Sequence, residues 1–256
     1  MSQWLLDLGN TRLKCAPLHE DGRIGEVLAL GHDESAFTTA LAGALPARGA
    51  SVCLASVASP ALTQSVLAVL VQHFQRISIA RVQPVFAGVR IGYAQPSQLG
   101  VDRFLAMVAA RARAASAWMV VGVGTAVTVD LLDVHGQHRG GRIGPSSRLM
   151  REALHHAAAH LPAEGGSYDE FATCTEDALA SGCDGAAIGL IERSLLQAQV
   201  LLGETPALLL HGGGAEALAS RLPGALLAPS LVMEGLAVWA RAGIAPDTAV
   251  DRIETC

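Results

Sequence analysis

A short strand-and-turn pattern occurs twice in this chain, 115 residues apart, and it limits the possible folds more than any other feature. Leu6-Asp7-Leu8-Gly9-Asn10-Thr11 can be laid over Val121-Gly122-Val123-Gly124-Thr125-Ala126. Each is an apolar strand entering a Gly-and-Thr turn, and each is followed by a second strand. The offset is close to half of the 256 residues. A chain of this length lies near the upper limit for one hydrophobic core. The repeat therefore predicts two related α/β halves, residues 1–116 and 117–256, with a cleft between them lined by the two turns.

The rest of the pattern fits α/β alternation. Leu5–Leu8 and Arg12–Ala16 read as strands around the first turn. Ser35–Leu45 reads as a helix, Val52–Val57 as a buried strand and Pro60–Gln75 as a helix with proline in its first turn. Pro84-Val85-Phe86 is a short strand. Val101–Ala115 has apolar residues at Val101, Phe104, Leu105, Val108 and Ala112, which is helical spacing. Met119–Leu132 forms the second hairpin, and Arg142-Ile143 a third strand. Ser146–Leu161 is helical, with Met150, Leu154, Ala157 and Leu161 on one face. A long helix over Glu176–Leu202 has a soft point at Gly182–Gly185. Ala207–Leu210 is a strand running into His211-Gly212-Gly213-Gly214, followed by helices over Ala215–Arg221 and Ser230–Ala242. The tail after Ile244 reads as loose.

Composition excludes several classes of function. Hydrophobic residues make up 51% and charged residues 16%, so disorder is excluded. The net charge is −5 and there is no basic run, which argues against a nucleic-acid partner. The longest stretch without Asp, Glu, Lys or Arg, Gly49–Gln75, is interrupted by polar residues and Pro60. Ala114–Val129 is too short to span a bilayer. No membrane partner is expected, and the start of the chain lacks a basic n-region and a long apolar h-region. The five cysteines are scattered, with no CxxC pair, as expected of idle thiols in a reducing cytoplasm.

Three segments could carry chemistry. Asp7 ends an apolar strand, where a carboxylate needs a partner. A hydrated Mg²⁺ is one such partner, because it takes one or two carboxylates and otherwise phosphate oxygens and water. Gly9 lets the backbone approach a phosphate, Asn10, Thr11 and the turn N–H groups can donate to it, and Lys14 can add charge. The alternative is an ordinary hairpin turn in which Asp7 caps its own backbone. Gly122-Val123-Gly124-Thr125 is a second candidate phosphate cradle or a plain turn. Neither turn fits GxxxxGK[ST], and no GxGxxG follows the first strand. Asp102 opens a helix beside Arg103. That is ordinary helix-start chemistry, and also the acid-and-cation pair that phosphoryl transfer uses to accept a hydroxyl proton and steady the transferred group. Gly212–Gly214 is either a strand–helix turn or a nucleotide contact. His155, His156 and His160 share one helix without a glutamate or a third ligand, and read as a solvated face.

Taken together, several motifs resemble the type III pantothenate kinase family. They are Asp7-x-Gly9-Asn10-Thr11, Gly100-Val101-Asp102-Arg103, Gly124-Thr125-Ala126-Val127-Thr128-Val129-Asp130 and Gly140-Gly141-Arg142-Ile143-x-Pro145. Ser56-Val57, Thr175 before Ser181-Gly182, Gly212-Gly213 and Leu231-x-x-Glu234-Gly235-Leu236 extend the match over residues 4 to about 242, in the family's order. The resemblance implies an α/β fold of two similar ribonuclease-H-like halves, actin/sugar-kinase-like, around a central nucleotide cleft. It implies ATP- and Mg²⁺-dependent phosphorylation of pantothenate to 4′-phosphopantothenate, the first step of coenzyme A biosynthesis, by a cytoplasmic homodimer. Carried over by motif, Asp7, Leu8, Gly9, Asn10, Thr11, Arg12, Leu13, Lys14 and Thr125 bind ATP, and Asp7 meets Mg²⁺ through it. Tyr93, Gly100, Val101, Asp102, Arg103 and Thr175 contact pantothenate, and Asp102 is the proton acceptor.

Two positions depart from the family pattern. The family usually has Asp where this chain has Gly122, and that acid helps hold a monovalent cation, K⁺ or NH₄⁺. Glycine supplies no carboxylate, so that cation site is expected to be lost, weakened or rebuilt. Pro145-Ser146 stands where Pro-Gly is usual, and serine can still start a helix. Two other readings share the resemblance: a non-catalytic accessory protein for virulence-gene expression, and a kinase of a sugar or another small alcohol.

Overall fold

The computed structural model describes residues 3–32 and 36–243. The start of the expected helix at Ser35 and the tail after Ile244 lie outside the described residues. The described chain contains β1 (Gln3–Leu8), β2 (Arg12–Leu18), β3 (Leu28–Gly31), α1 (Phe37–Ala44), β4 (Gly49–Ser56), α2 (Pro60–His73), β5 (Phe74–Ile79), β6 (Val85–Phe86) and β7 (Val89–Arg90). It continues with α3 (Val101–Arg113), β8 (Trp118–Val123), β9 (Ala126–Leu132), β10 (His138–Pro145), α4 (Ser147–Ala157), α5 (Thr175–Leu202), β11 (Ala207–His211), α6 (Ala215–Ala219), β12 (Leu226–Leu227) and α7 (Leu231–Arg241).

The repeat read from sequence is a repeat of topology. One five-stranded sheet has the order β3-β2-β1-β4-β5, and the other has the order β10-β9-β8-β11-β12. In each, the first three strands in chain order are antiparallel neighbours, the fourth joins the first in parallel, and the fifth joins the fourth in parallel. The central strands β1 and β8 differ by 115 in both end positions. Leu6 and Leu8 face one core, with Leu13, Val52, Leu54, Val66 and Leu70. Their counterparts Val121 and Val123 face the other, with Val127, Val129, Leu210 and Ile191. Alternation along a strand puts Asp7 and Gly122 on the opposite face of each sheet. The turns differ by one residue: Leu8 pairs with Leu13 in the first hairpin, and Val123 with Val127 in the second.

By packing, the chain forms two compact units. One is built from residues up to Gln83, Ser97–Ala109 and residues from Val232. The other is built from Pro84–Pro96 and Ala110–Leu231. In the first, α3 and α7 meet closely. Phe104 and Trp239 make an edge-to-face contact with centroids 6.3 Å apart. A Cβ on Gly235 would fall 2.0 Å from the Leu105 carbonyl oxygen, so glycine permits the approach that seats α3.

Several elements differ from the sequence reading. Helix α2 stops at His73, and Phe74 passes straight into β5 with φ −125° and ψ 142°. No Gly or Pro punctuates that junction, so the strand was invisible to pattern reading. Helix α5 is one continuous helix through Gly182–Gly185, because Leu179, Ala180, Cys183, Ala187 and Ile188 bury a common side. Burial overrides the weak propensity of the glycines. Helix α4 ends at Ala157, and on its expected core face Leu154 is exposed. The exposed apolar residues Leu196, Val200 and Leu201 on α5 belong to the same unit, as does Ile143 on β10. His156 and His160 are exposed, while His155 Nδ1 bonds the Leu161 carbonyl at 2.6 Å. Cys15 and Cys53 are buried, and burial pushes both thiols up to about 11.

Candidate active site

The first unit brings together the strand-end acid, its turn and the start of α3. Asp7 is half-buried on β1, directly across the ladder from Lys14 on β2. Its carboxyl is pushed up to about 7. Burial at the end of a core strand is the main cause. The nearby negative charge of Asp102 adds to it, and Lys14 opposes it. The two acids are thus close enough for the charge of one to act on the other.

The turn after Asp7 is tied down from two sides. Gly9 N–H donates to the Arg12 carbonyl at 3.1 Å. His32 Nε2 reaches the Gly9 carbonyl oxygen at 3.1 Å, and its ring meets Phe37 edge-on. Val57 N–H donates to the Leu8 carbonyl at 3.1 Å. Asn10, Thr11 and Arg12 are exposed on the turn, whereas Leu8 and Leu13 are core residues. These two leucines hold the hairpin, and the turn residues between them lie outside the core. His32 escaped sequence reading because a lone histidine 23 residues from the turn has no spacing signal.

Gly100, Val101, Asp102 and Arg103 form the start of α3. The Arg103 N–H donates to Asp102 Oδ1 at 2.8 Å, so the carboxylate folds back over the helix start. A Cβ on Gly100 would fall 2.5 Å from that oxygen. Glycine at this position is what leaves room for the acid. Arg103 is buried at 6% exposure, and Val101 is buried beside it.

The second unit carries the other candidates. Thr125 sits on the β8–β9 turn, where Gly124 N–H donates to the Ala126 carbonyl at 2.9 Å. Ser146 Oγ donates to the Thr125 carbonyl at 2.9 Å and accepts from the Leu149 N–H at 3.2 Å. Serine in the Pro-Ser pair thus caps α4 and holds the Thr125 turn, a link that glycine could not make. Gly214 N–H donates to the Val123 carbonyl at 3.0 Å, so the triglycine segment packs against the end of β8. Tyr93 is half-buried and stacks on His138, and Thr175 is exposed at the first position of α5.

The family model for type III pantothenate kinase matches residues 4–197. The chain belongs to the type III pantothenate kinase family. It is 55% identical over 240 residues to "Type III pantothenate kinase" of Stenotrophomonas maltophilia (strain R551-3), covering 94% of this chain and 98% of that one. It is 53% identical to the protein of the same name from Xanthomonas euvesicatoria pv. vesicatoria (strain 85-10), covering 96% of this chain and all of that one. Among solved structures, a Campylobacter jejuni chain described as a Baf family transcriptional activator superposes with a TM-score of 0.63 at 20% identity. It covers 93% of this chain and 98% of that one. A Sinorhizobium meliloti chain described as a 2-dehydro-3-deoxygalactonokinase superposes with a TM-score of 0.59 at 16% identity, covering 94% and 98%. At such identities the likeness speaks to the fold, which is the two-domain, actin/sugar-kinase-like α/β fold with ribonuclease-H-like halves.

Family membership implies a divalent metal, and the residues fit one. Asp7 and Asp102 supply excess negative charge in one place. No cluster of three or more His, Cys, Asp or Glu occurs among the described residues. That donor set suits Mg²⁺, which binds through one or two carboxylates and keeps phosphate and water as its other ligands.

The raised Asp7 value sets a pH dependence for the protein without nucleotide or metal. From the ordinary 3.8 up to about 7, the unfolded chain gives up this proton and the folded chain keeps it. Stability therefore falls as pH rises through that window and levels off above it. Asp7→Asn removes the penalty. Its melting temperature should exceed the wild type's at pH 8, by on the order of 10 °C at roughly 2–4 °C per kcal/mol, and the gain should shrink towards pH 4. Equal melting differences at pH 4 and pH 8 would sink this account.

Proposed function

We propose that this chain is an ATP-dependent pantothenate kinase that makes 4′-phosphopantothenate, the first step of coenzyme A biosynthesis. The observation that carries the reading is the start of α3. There Asp102, given room by Gly100, stands beside buried Arg103 in the unit that holds Asp7 and Lys14. Family membership supplies the substrate class.

In this reading the residues divide the work. The exposed residues Asn10, Thr11 and Arg12, with Gly9 for close backbone approach and Lys14 for charge, receive the phosphates of ATP, and Thr125 is assigned to ATP by its motif position. Bound Mg²⁺ would be held at Asp7 through the nucleotide and would neutralise phosphate charge. Asp102 accepts the proton of the primary hydroxyl as that oxygen bonds to the γ-phosphorus. The bond from the γ-phosphorus to the bridging oxygen breaks, and ADP leaves with the electron pair. Arg103 steadies charge on the transferred group. Gly100, Val101, Tyr93 and Thr175 are assigned to pantothenate by their motif positions. The halves 1–116 and 117–256 are proposed as the two copies of the repeat, supported by the shared strand order.

The monovalent cation is a different matter, because the residues do not fit it. Gly122 offers no carboxylate. A Cβ there would lie 2.7 Å from Thr128 Oγ1 and 3.1 Å from Cε1 and Nε2 of His211. The space an acid would need is already taken by these neighbours. We propose that this kinase has lost the K⁺ or NH₄⁺ requirement.

A homodimer is also proposed. Support comes from the exposed apolar residues Leu154, Leu196, Val200 and Leu201 on α4 and α5, with Ile143 on β10. The partner is a second copy of this chain. A cytoplasmic location is proposed because ATP is the co-substrate. No helix among the described residues is long and apolar enough to cross a membrane.

Three measurements test these proposals. Purified protein with Mg-ATP and pantothenate should release ADP, and Asp102→Asn should lower kcat roughly 10²–10⁴-fold. Turnover only on a sugar or another alcohol, or none at all, would replace the substrate assignment or favour the accessory role. Activity and melting temperature in sodium buffer should be unchanged by adding K⁺ or NH₄⁺, and a strict requirement for either would overturn the cation proposal. Sedimentation should give a dimer that Val200→Asp shifts towards monomer, whereas a wild-type monomer would refute it.

A further inference from the structure

We infer that His138 is a positioning residue for Tyr93, fixing the plane of the phenol ring through a buried Asp130–His138 pair. The inference rests on the assignment of Tyr93 to pantothenate above. All three residues belong to the second unit.

The Tyr93 and His138 rings are nearly parallel, 19° apart, with centroids at 5.7 Å. His138 is 1% exposed and Asp130 is 2% exposed. His138 Nε2 lies 3.0 Å from Asp130 Oδ1, so the carboxylate sets the orientation of the imidazole. The other ring nitrogen, Nδ1, is buried and has no hydrogen-bond partner among the described residues. Buried polar nitrogens are normally paired. A histidine serving only to fill the core would be replaced by an apolar residue or satisfied at both nitrogens. Here one nitrogen fixes the ring, the other is left over, and the flat face is turned to the tyrosine.

The backbone leading to Tyr93 is fastened to the same segment. Arg90 N–H donates to the Gly136 carbonyl at 2.9 Å, and Gln137 Nε2 donates to the Arg90 carbonyl at 3.3 Å and the His138 carbonyl at 3.2 Å. A Cβ on Gly92 would fall 2.3 Å from the His138 carbonyl oxygen, so glycine lets the strand before Tyr93 lie directly on His138. Ring and backbone of the tyrosine segment are thus held by one short stretch, residues 136–138. That rigidity is useful for a residue that must meet a flexible substrate in one orientation, since less ordering cost remains for binding.

The test is steady-state kinetics on the full chain, varying pantothenate at saturating ATP and the reverse. His138→Leu keeps bulk and removes the flat face. It should raise KM for pantothenate by about tenfold, the upper range for one aromatic pair, and leave kcat and KM for ATP unchanged. His138→Phe keeps a flat face but loses the bond to Asp130, and should raise KM for pantothenate less than His138→Leu does. In a Tyr93→Ala background, His138→Leu should have no further effect on KM. An unchanged KM in His138→Leu would overturn the inference, as would a Phe variant as impaired as the Leu variant. If the Leu variant does not fold, the Phe variant alone decides, because an unchanged KM in it shows that the Asp130 bond does not orient Tyr93. A wild type that does not turn over pantothenate removes the substrate assignment and this inference with it. An active wild type with insensitive His138 variants removes only the inference.

Discussion

Each sheet hangs from its central strand, which is bonded on both edges and so cannot shift without breaking two ladders. β1 is antiparallel to β2 and parallel to β4, and β8 is antiparallel to β9 and parallel to β11. The antiparallel partner follows at once through a tight turn, and the parallel one needs a crossover. The end of the central strand is therefore always a hairpin turn whose position is fixed by the core. Leu6 and Leu8, or Val121 and Val123, anchor that end on one face. The opposite face is free to carry chemistry. In the first unit it carries Asp7, and in the second it carries Gly122.

That single difference makes the two turns unequal. Asp7 sits across from Lys14 and feels Asp102, so its unit concentrates charge. Gly122 sits across from Thr128, with His211 on the neighbouring strand against it, and concentrates none. The supports differ accordingly. His32 holds the Gly9 turn from a distant loop. Ser146, the cap of α4, holds the Thr125 turn. Each support is a side chain bonded to a turn carbonyl.

Much of this was legible in the chain. The strand-turn repeat anticipated the shared strand order, because a hydrophobic strand entering a Gly-and-Thr turn leaves a local signature. The motif around Asp102 placed the acid at a helix start, because helix starts favour acids for electrostatic reasons. Strand β5 was not legible, because it follows α2 without a turn residue. Continuity of α5 through its glycines was not legible either, since it depends on which side of the helix is buried.

The sequence by itself determined most of the helices, the duplicated hairpin, the family and the residue types at the site. These are set by short-range pattern and by the order of motifs along the chain. Only the tertiary structure decided how those residues are tuned. The rise of the Asp7 carboxyl needs burial and a second acid 95 positions away. The orientation of Tyr93 needs His138 and Asp130, 45 and 37 positions on. Such couplings act through space between segments far apart in the chain, and the one-dimensional pattern holds no record of them.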